Sequence, residues 1–140
     1  RAEFFSEETC REMLLPYVKE LVDHVHSLGM YWDLHCCGFV ENFVPLFIEA
    51  GEDSWGGQPL NDKWKLKQMY GDRFIFTDGP KFTPDMTEEE KAAAIADFFT
   101  KSGADNRILL ELRDPTLKAK VYEAGRKNYD RLLAEGKVIF

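Results

Sequence analysis

The sequence predicts an α/β protein built from four consecutive strand–helix units. Short apolar runs alternate with longer segments in which apolar residues recur every three or four positions. Most of the longer segments end at a glycine, the residue that commonly follows the last turn of a helix. This alternation indicates parallel strands joined by crossover helices. Four such units could form a small open sheet or one half of a (β/α)8 barrel, which typically needs about 250 residues.

The first half of the chain is predicted to begin with a helix rather than a strand. Ser6 is a residue type that caps helices, and apolar residues recur at helical spacing from Met13 to Val25. The predicted elements are a helix from Ser6 to Gly29, a strand at 30–34, a helix at 39–50 ended by Gly51, and a short strand at 53–55.

In the second half of the chain, predicted strands and helices alternate again, and the residues that start and end the helices are easier to recognise. Thr87 followed three residues later by Glu90 is the capping-box pattern of a helix start. The predicted elements are a helix capped by Asn61 or Asp62 and ended by Gly71, a strand at 73–77, a helix from Thr87 to Gly103, a strand at 107–112, and a helix bracketed by Pro115 and Gly136.

The length and charge of the chain exclude several classes of function. With 140 residues the chain holds one domain at most. Its net charge of −7, from 18 basic and 25 acidic residues, argues against unaided binding of nucleic acid or anionic membranes. Neither a signal peptide nor an apolar run long enough for a bilayer is readable. Three cysteines, two of them adjacent, do not make a disulfide framework, so we expect a cytoplasmic protein.

The segment 33–37 carries the strongest chemical signal. In a strand, side chains alternate between two faces, so Asp33, His35 and Cys37 should share one face and Cys36 should point to the other. An imidazole and a thiolate two residues apart can converge on one zinc ion. The alternative is a small buried cysteine beside a hydrogen-bonded core histidine. Cys36 is expected to serve packing alone.

Four carboxylates extend this candidate site. Asp33 could orient the imidazole of His35 by accepting its second N–H, which makes it the candidate catalytic residue. A salt bridge, or a strand end close to solvent, is the alternative for Asp33. Glu111 or Asp114 could supply a further metal ligand, although an ion pair or solvation is the alternative for both. Asp78 and Asp114 also lie near strand ends, where barrel enzymes place their active sites, and are candidates for binding substrate. Capping of a turn is the alternative for Asp78.

An ordered series of short motifs runs through residues 4–110. The motifs are Phe5-Ser6, Leu15-Pro16-Tyr17, His35-Cys36-Cys37-Gly38, the segment 46–51, Gln58-Pro59-Leu60-Asn61-Asp62, Leu66-Lys67 and Tyr70-Gly71-Asp72-Arg73. In this order and spacing they resemble the C-terminal half of the uroporphyrinogen decarboxylase superfamily. The resemblance implies a TIM barrel, of which residues 1–140 would be a single partial domain holding the last four strand–helix units.

The resemblance implies a zinc-dependent corrinoid methyltransferase as the first activity. His35 and Cys37 match the His-x-Cys pair of that branch, whereas its third ligand, a cysteine after the last strand, has no match here. Glu111 is the ligand type nearest the expected place. The zinc would activate a thiol or a similar small-molecule acceptor, which would take a methyl group from a methylcorrinoid carried by a partner protein.

Two alternatives stay open. The decarboxylase branch acts on a tetrapyrrole without a metal, but its substrate-binding arginine and catalytic aspartate belong to the N-terminal half of the family's barrel. The other alternative is a catalytically silent half-barrel. A half-barrel exposes sheet edges and an apolar inner face, so it should self-associate or pair with a separate N-terminal half. The absence of an initial Met suggests a mature product or a fragment.

Overall fold

The computed structural model describes residues 4–102, 107–112 and 114–137. The described residues form helices and strands that alternate from the first strand onward, as an α/β protein requires. The elements are α1 (Glu7–Met13), α2 (Leu15–Ser27), β1 (Asp33–Leu34), α3 (Val44–Ala50), β2 (Ser54–Trp55), α4 (Lys63–Tyr70), β3 (Ile75–Asp78), α5 (Glu88–Ser102), β4 (Ile108–Leu110) and α6 (Pro115–Ala134), with a 3-10 turn at Glu41–Phe43 before α3.

The first three strands lie in the order β1-β2-β3, so neighbours in sequence are neighbours in the sheet. The chain divides into two compact units, Arg1–Thr77 and Asp78–Phe140. In the first unit β1, β2 and β3 are parallel, and the register aligns Asp33 with Ser54 and Ser54 with Ile75. The strand–helix alternation predicted from the sequence is therefore confirmed.

The single helix predicted from Ser6 to Gly29 is wrong in extent, because it is two helices. The hydroxyl of Ser6 caps α1 by accepting a hydrogen bond from the backbone N–H of Thr9 at 3.1 Å. Pro16 lies in the first turn of α2. Proline lacks an N–H and clashes with the preceding turn, so it is tolerated at a helix start but not inside a helix. The predicted helix 39–50 is likewise shorter, and α3 starts with a proline in its first turn.

The first strand is shorter than the predicted 30–34. The backbone N–H of Trp32 donates to the carboxylate of Asp53 at 2.7 Å, which takes the place of a strand-to-strand bond. Behind the sheet, Trp55, Phe74 and Phe76 are fully buried. The ring centroids of Trp55 and Phe76 lie 6.2 Å apart in an edge-on arrangement, which is favourable for aromatic pairs.

In the second unit the predicted capping box is confirmed. The backbone N–H of Thr87 donates to Glu90 Oε2 at 2.7 Å, and the backbone N–H of Glu90 donates to Thr87 Oγ1 at 3.2 Å. The predicted helix end at Gly103 lies outside the described residues. In the described part of the chain, helices long and apolar enough to cross a membrane are absent.

Candidate metal site

The segment that follows β1 alternates in exposure. Tyr31, Asp33, His35 and Cys37 are exposed, and the residues between them are half-buried. Cys36 packs against the core behind the sheet, as expected. Burial raises the pKa of the Cys36 thiol, and the nearby Cys37 adds to this effect. The exposed face therefore offers His35 and Cys37 to solvent, whereas the neighbouring thiol stays protonated.

The imidazole and the thiol lie close enough to share one ion. Cys37 Sγ is 3.5 Å from His35 Nε2. Two tetrahedral zinc ligands with ordinary Zn–S and Zn–N bond lengths would lie about 3.6 Å apart. The pair thus fits one edge of a zinc tetrahedron without rearrangement. The same distance also suits a weak hydrogen bond between thiol and imidazole, which is the competing interpretation.

Two side chains from the loop before α4 hold the backbone that follows the pair. The N–H of Gly38 donates to Gln58 Oε1 at 2.9 Å, and the carbonyl of Gly38 accepts from Asn61 Nδ2 at 2.9 Å. The N–H of Val40 donates to Asn61 Oδ1, also at 2.9 Å. Asn61 is only 4% exposed. This clamp fixes the course of the chain next to Cys37, and no pattern in the sequence marks it, because amides are common in any loop.

Asp33 does not orient the imidazole in the way proposed from the sequence. Its carboxylate accepts a hydrogen bond from the hydroxyl of Ser54 on β2. The second ring nitrogen of His35 lies instead beside Gly56, since a Cβ at Gly56 would be 3.8 Å from His35 Nδ1. Asp33 and His35 share a face, but between these two described side chains no hydrogen bond is formed.

The other three candidate carboxylates belong to the second unit. The Oδ1 atom of Asp78 accepts the N–H of Gly79 at 2.9 Å, which is a turn-capping contact. Asp114 caps α6 by accepting hydrogen bonds from the hydroxyl and the N–H of Thr116, and these bonds lower the pKa of its carboxyl. Glu111 is exposed, and its N–H donates to the carbonyl of Asp78 at 3.0 Å.

Across residues 4–102, 107–112 and 114–137, groups of three or more His, Cys, Asp or Glu placed to hold a metal are absent. The pair of His35 and Cys37 is therefore the part of the predicted site that the described residues bring together. Comparisons of the chain with protein-family models, curated proteins and solved structures found no match.

Proposed function

We propose that His35 and Cys37 bind one zinc ion. We further propose that the chain is the metal-binding C-terminal half of a TIM-barrel enzyme that moves a methyl group from a methylcorrinoid to a thiol or a similar acceptor. The observation that carries the metal proposal is the 3.5 Å separation of Cys37 Sγ and His35 Nε2 on an exposed face. The methyl-transfer proposal adds the resemblance of residues 4–110 to the uroporphyrinogen decarboxylase superfamily.

The residues of this chain would hold the zinc and leave it accessible to the methyl acceptor. Bound zinc lowers the pKa of a coordinated thiol, so that the acceptor can act as a thiolate nucleophile. Exposure of Cys37 leaves its sulfur accessible from solvent, where an acceptor must enter. Gln58 and Asn61 hold the backbone of Gly38, the residue that follows Cys37. The corrinoid would be presented by a partner protein.

Replacement of Cys37 by serine is expected to abolish zinc binding. The full chain, purified after zinc-supplemented expression, should hold about one zinc, because thiolate and imidazole are the ligands that zinc prefers. The Cys37→Ser variant should hold close to none. Elemental analysis of metal per chain measures both. The matched control is Cys36→Ser, which changes the adjacent thiol on the opposite face and should keep the zinc.

Two outcomes would contradict the proposal. Wild-type chain without zinc would leave His35 and Cys37 as a hydrogen-bonded pair and would favour a metal-free decarboxylase or a silent half-barrel. Equal loss of zinc in the Cys36→Ser and Cys37→Ser variants would assign the metal to some other arrangement of thiols.

We infer a second candidate function, weak self-association, from an apolar stripe on α2. The stripe consists of Leu14, Tyr17, Leu21 and Leu28, which are 44%, 68%, 55% and 59% exposed. Their spacing of three, four and seven positions places them on one side of the helix. The stripe exposes on the order of 400 Å² of apolar surface, a size that on monomers is often functional.

We expect this stripe to pack against the same stripe on a second copy of the chain. A twofold contact brings identical apolar surfaces together and needs no second partner. It would bury roughly 800 Å² in total, which lies in the range of weak, transient interfaces. The net charge of −7 on each copy opposes tight association. A weak dimer is therefore the expected state.

The Leu21→Gln variant is expected to weaken this dimer about tenfold or more, because a twofold contact loses two leucine side chains at once. Sedimentation velocity over a hundredfold range of concentration measures the dissociation constant. Glu20→Gln is the control, since it places the same side chain at another exposed position of α2 without removing an apolar group. A wild-type chain that stays monomeric at every concentration would contradict self-association and leave a separate half-barrel as the occupant to test.

A further inference from the structure

Two polar atoms border the position that a side chain would take on Gly56, the residue that follows β2. A Cβ built on Gly56 would be 3.8 Å from His35 Nδ1 and 3.9 Å from Thr77 Oγ1. The hydroxyl of Thr77 and the second nitrogen of His35 therefore border the same space, and the absence of a side chain on Gly56 keeps that space free.

The hydroxyl of Thr77 is a buried polar group without a partner. Thr77 is 7% exposed, and its Oγ1 atom has no hydrogen bond to any described residue. Buried hydroxyls almost always have a partner, so an unpaired one indicates a water or ligand group beside it. The backbone of Thr77 is held in place, because its carbonyl accepts a hydrogen bond from the buried Lys63 Nζ at 2.7 Å.

His35 needs a partner of this kind if its other nitrogen binds zinc. A zinc-bound imidazole normally donates its second ring N–H to a carboxylate, carbonyl or water, and this bond fixes both the tautomer and the ring orientation. Asp33, the nearest acid on the same face, already accepts the hydroxyl of Ser54. The hydroxyl of Thr77 is a buried oxygen that borders Gly56 on the same side as His35 Nδ1, and it has no hydrogen-bond partner among the described residues.

We propose that Thr77 is a positioning residue for His35 and acts through one water molecule in the space above Gly56. The Nδ1–H of His35 donates to the water, and the water donates to Thr77 Oγ1. This leaves the lone pair of Nε2 free to face the metal on the side of Cys37. The inference rests on the proposed zinc site and adds to it Thr77 and Gly56, from the two strands that follow β1.

Two variants test the bridge from opposite sides. Thr77→Val keeps the shape of the side chain but removes the hydroxyl, and it is expected to weaken zinc binding by about 10- to 100-fold. Gly56→Ala fills the space with a methyl group at ordinary contact distances of 3.7–3.9 Å, so it should displace the water without strain. It should weaken zinc binding to a similar degree. Thr77→Ser keeps the hydroxyl and should bind zinc as the wild type does.

The measurements are zinc affinity by competition with a chromophoric chelator, and the ¹⁵N chemical shifts of the His35 ring in the zinc-free chain. The shifts report which ring nitrogen carries the proton, a property that a purely structural role for Thr77 would not change. We expect the Nδ1–H form in the wild type and in Thr77→Ser, and a mixture of the two tautomers in Thr77→Val and Gly56→Ala.

The outcomes separate this inference from the zinc proposal. Wild-type zinc affinity in Thr77→Val, or the same tautomer in all four chains, would overturn the role of Thr77. A wild-type chain that does not bind zinc would overturn the zinc proposal, and the tautomer measurement would still decide whether Thr77 and Gly56 orient His35.

Discussion

Replacement of Trp55 by alanine is expected to lower the free energy of unfolding by about 3–5 kcal/mol. Trp55 is fully buried in β2, and its ring centroid lies 6.1 Å from that of Phe47 and 6.2 Å from that of Phe76. The indole also packs against Gly57, where a Cβ would be 2.1 Å from the ring. Alanine would leave a cavity bordered by Phe47, Phe76 and Gly57. These residues belong to three different segments, which cannot all move inward to fill it.

Urea unfolding of the wild type and of Trp55→Ala, followed by circular dichroism, measures this loss. Trp55→Phe should cost clearly less, because it keeps an aromatic ring and the indole N–H has no partner among the described residues. Trp64→Ala, at a half-buried position in α4, is the control for loss of a tryptophan as such. If Trp55→Ala cost no more than this control, Trp55 would not lie at the centre of the core.

Replacement of Glu52 by glutamine is expected to stabilise the chain at pH 8 and to leave its stability unchanged at pH 4. Glu52 is 5% exposed, and its Oε2 atom has no hydrogen-bond partner in the described residues. Burial raises the pKa of this carboxyl from 4.5 to about 7. The folded chain therefore keeps a proton that the unfolded chain loses between pH 4.5 and 7. The stability contributed by that proton is complete below pH 4.5 and is lost as the pH rises through 7.

The expected gain for Glu52→Gln at pH 8 is about 2 kcal/mol, since glutamine cannot ionise and fills a similar volume. Urea unfolding at pH 4, 6 and 8 measures the difference between the two chains. Glu20→Gln, at an exposed position of α2, should shift stability by less than about 0.5 kcal/mol at every pH. A constant difference between Glu52→Gln and the wild type from pH 4 to pH 8 would contradict a carboxyl that titrates near neutrality in the folded chain.

Local signals in the sequence predicted the elements well. The helix caps at Ser6, Asp62 and Thr87 each depend on a side chain that bonds to the backbone within three residues, so the sequence contains all that is needed to predict them. Strand lengths are different, because β1 begins only after Trp32, whose backbone N–H donates to Asp53, 21 residues away. This change of hydrogen-bond partner depends on the tertiary fold and leaves no local pattern in the sequence.

In the candidate site, too, some residues could be predicted from local patterns and others could not. Period-two alternation was enough to place His35 and Cys37 on one face and Cys36 on the other. Thr77 and Gly56 could not be predicted, because they meet His35 only through the register of three strands. Asp78 and Asp114 were proposed from their positions at strand ends, and each carboxylate forms a capping bond to a residue one or two positions further on.

The clamp of Gln58 and Asn61 on Gly38 and Val40 orders the backbone next to the proposed metal ligands when the chain folds. The conformational entropy of residues 38–40 is lost when the chain folds, so little remains to be lost when an ion arrives. An isolated peptide with the sequence of residues 33–40 would lack this preorganisation, because its clamp lies some 20 positions along the chain. If the His-x-Cys pair binds zinc as proposed, that binding is thermodynamically linked to the integrity of the loop that carries Gln58 and Asn61.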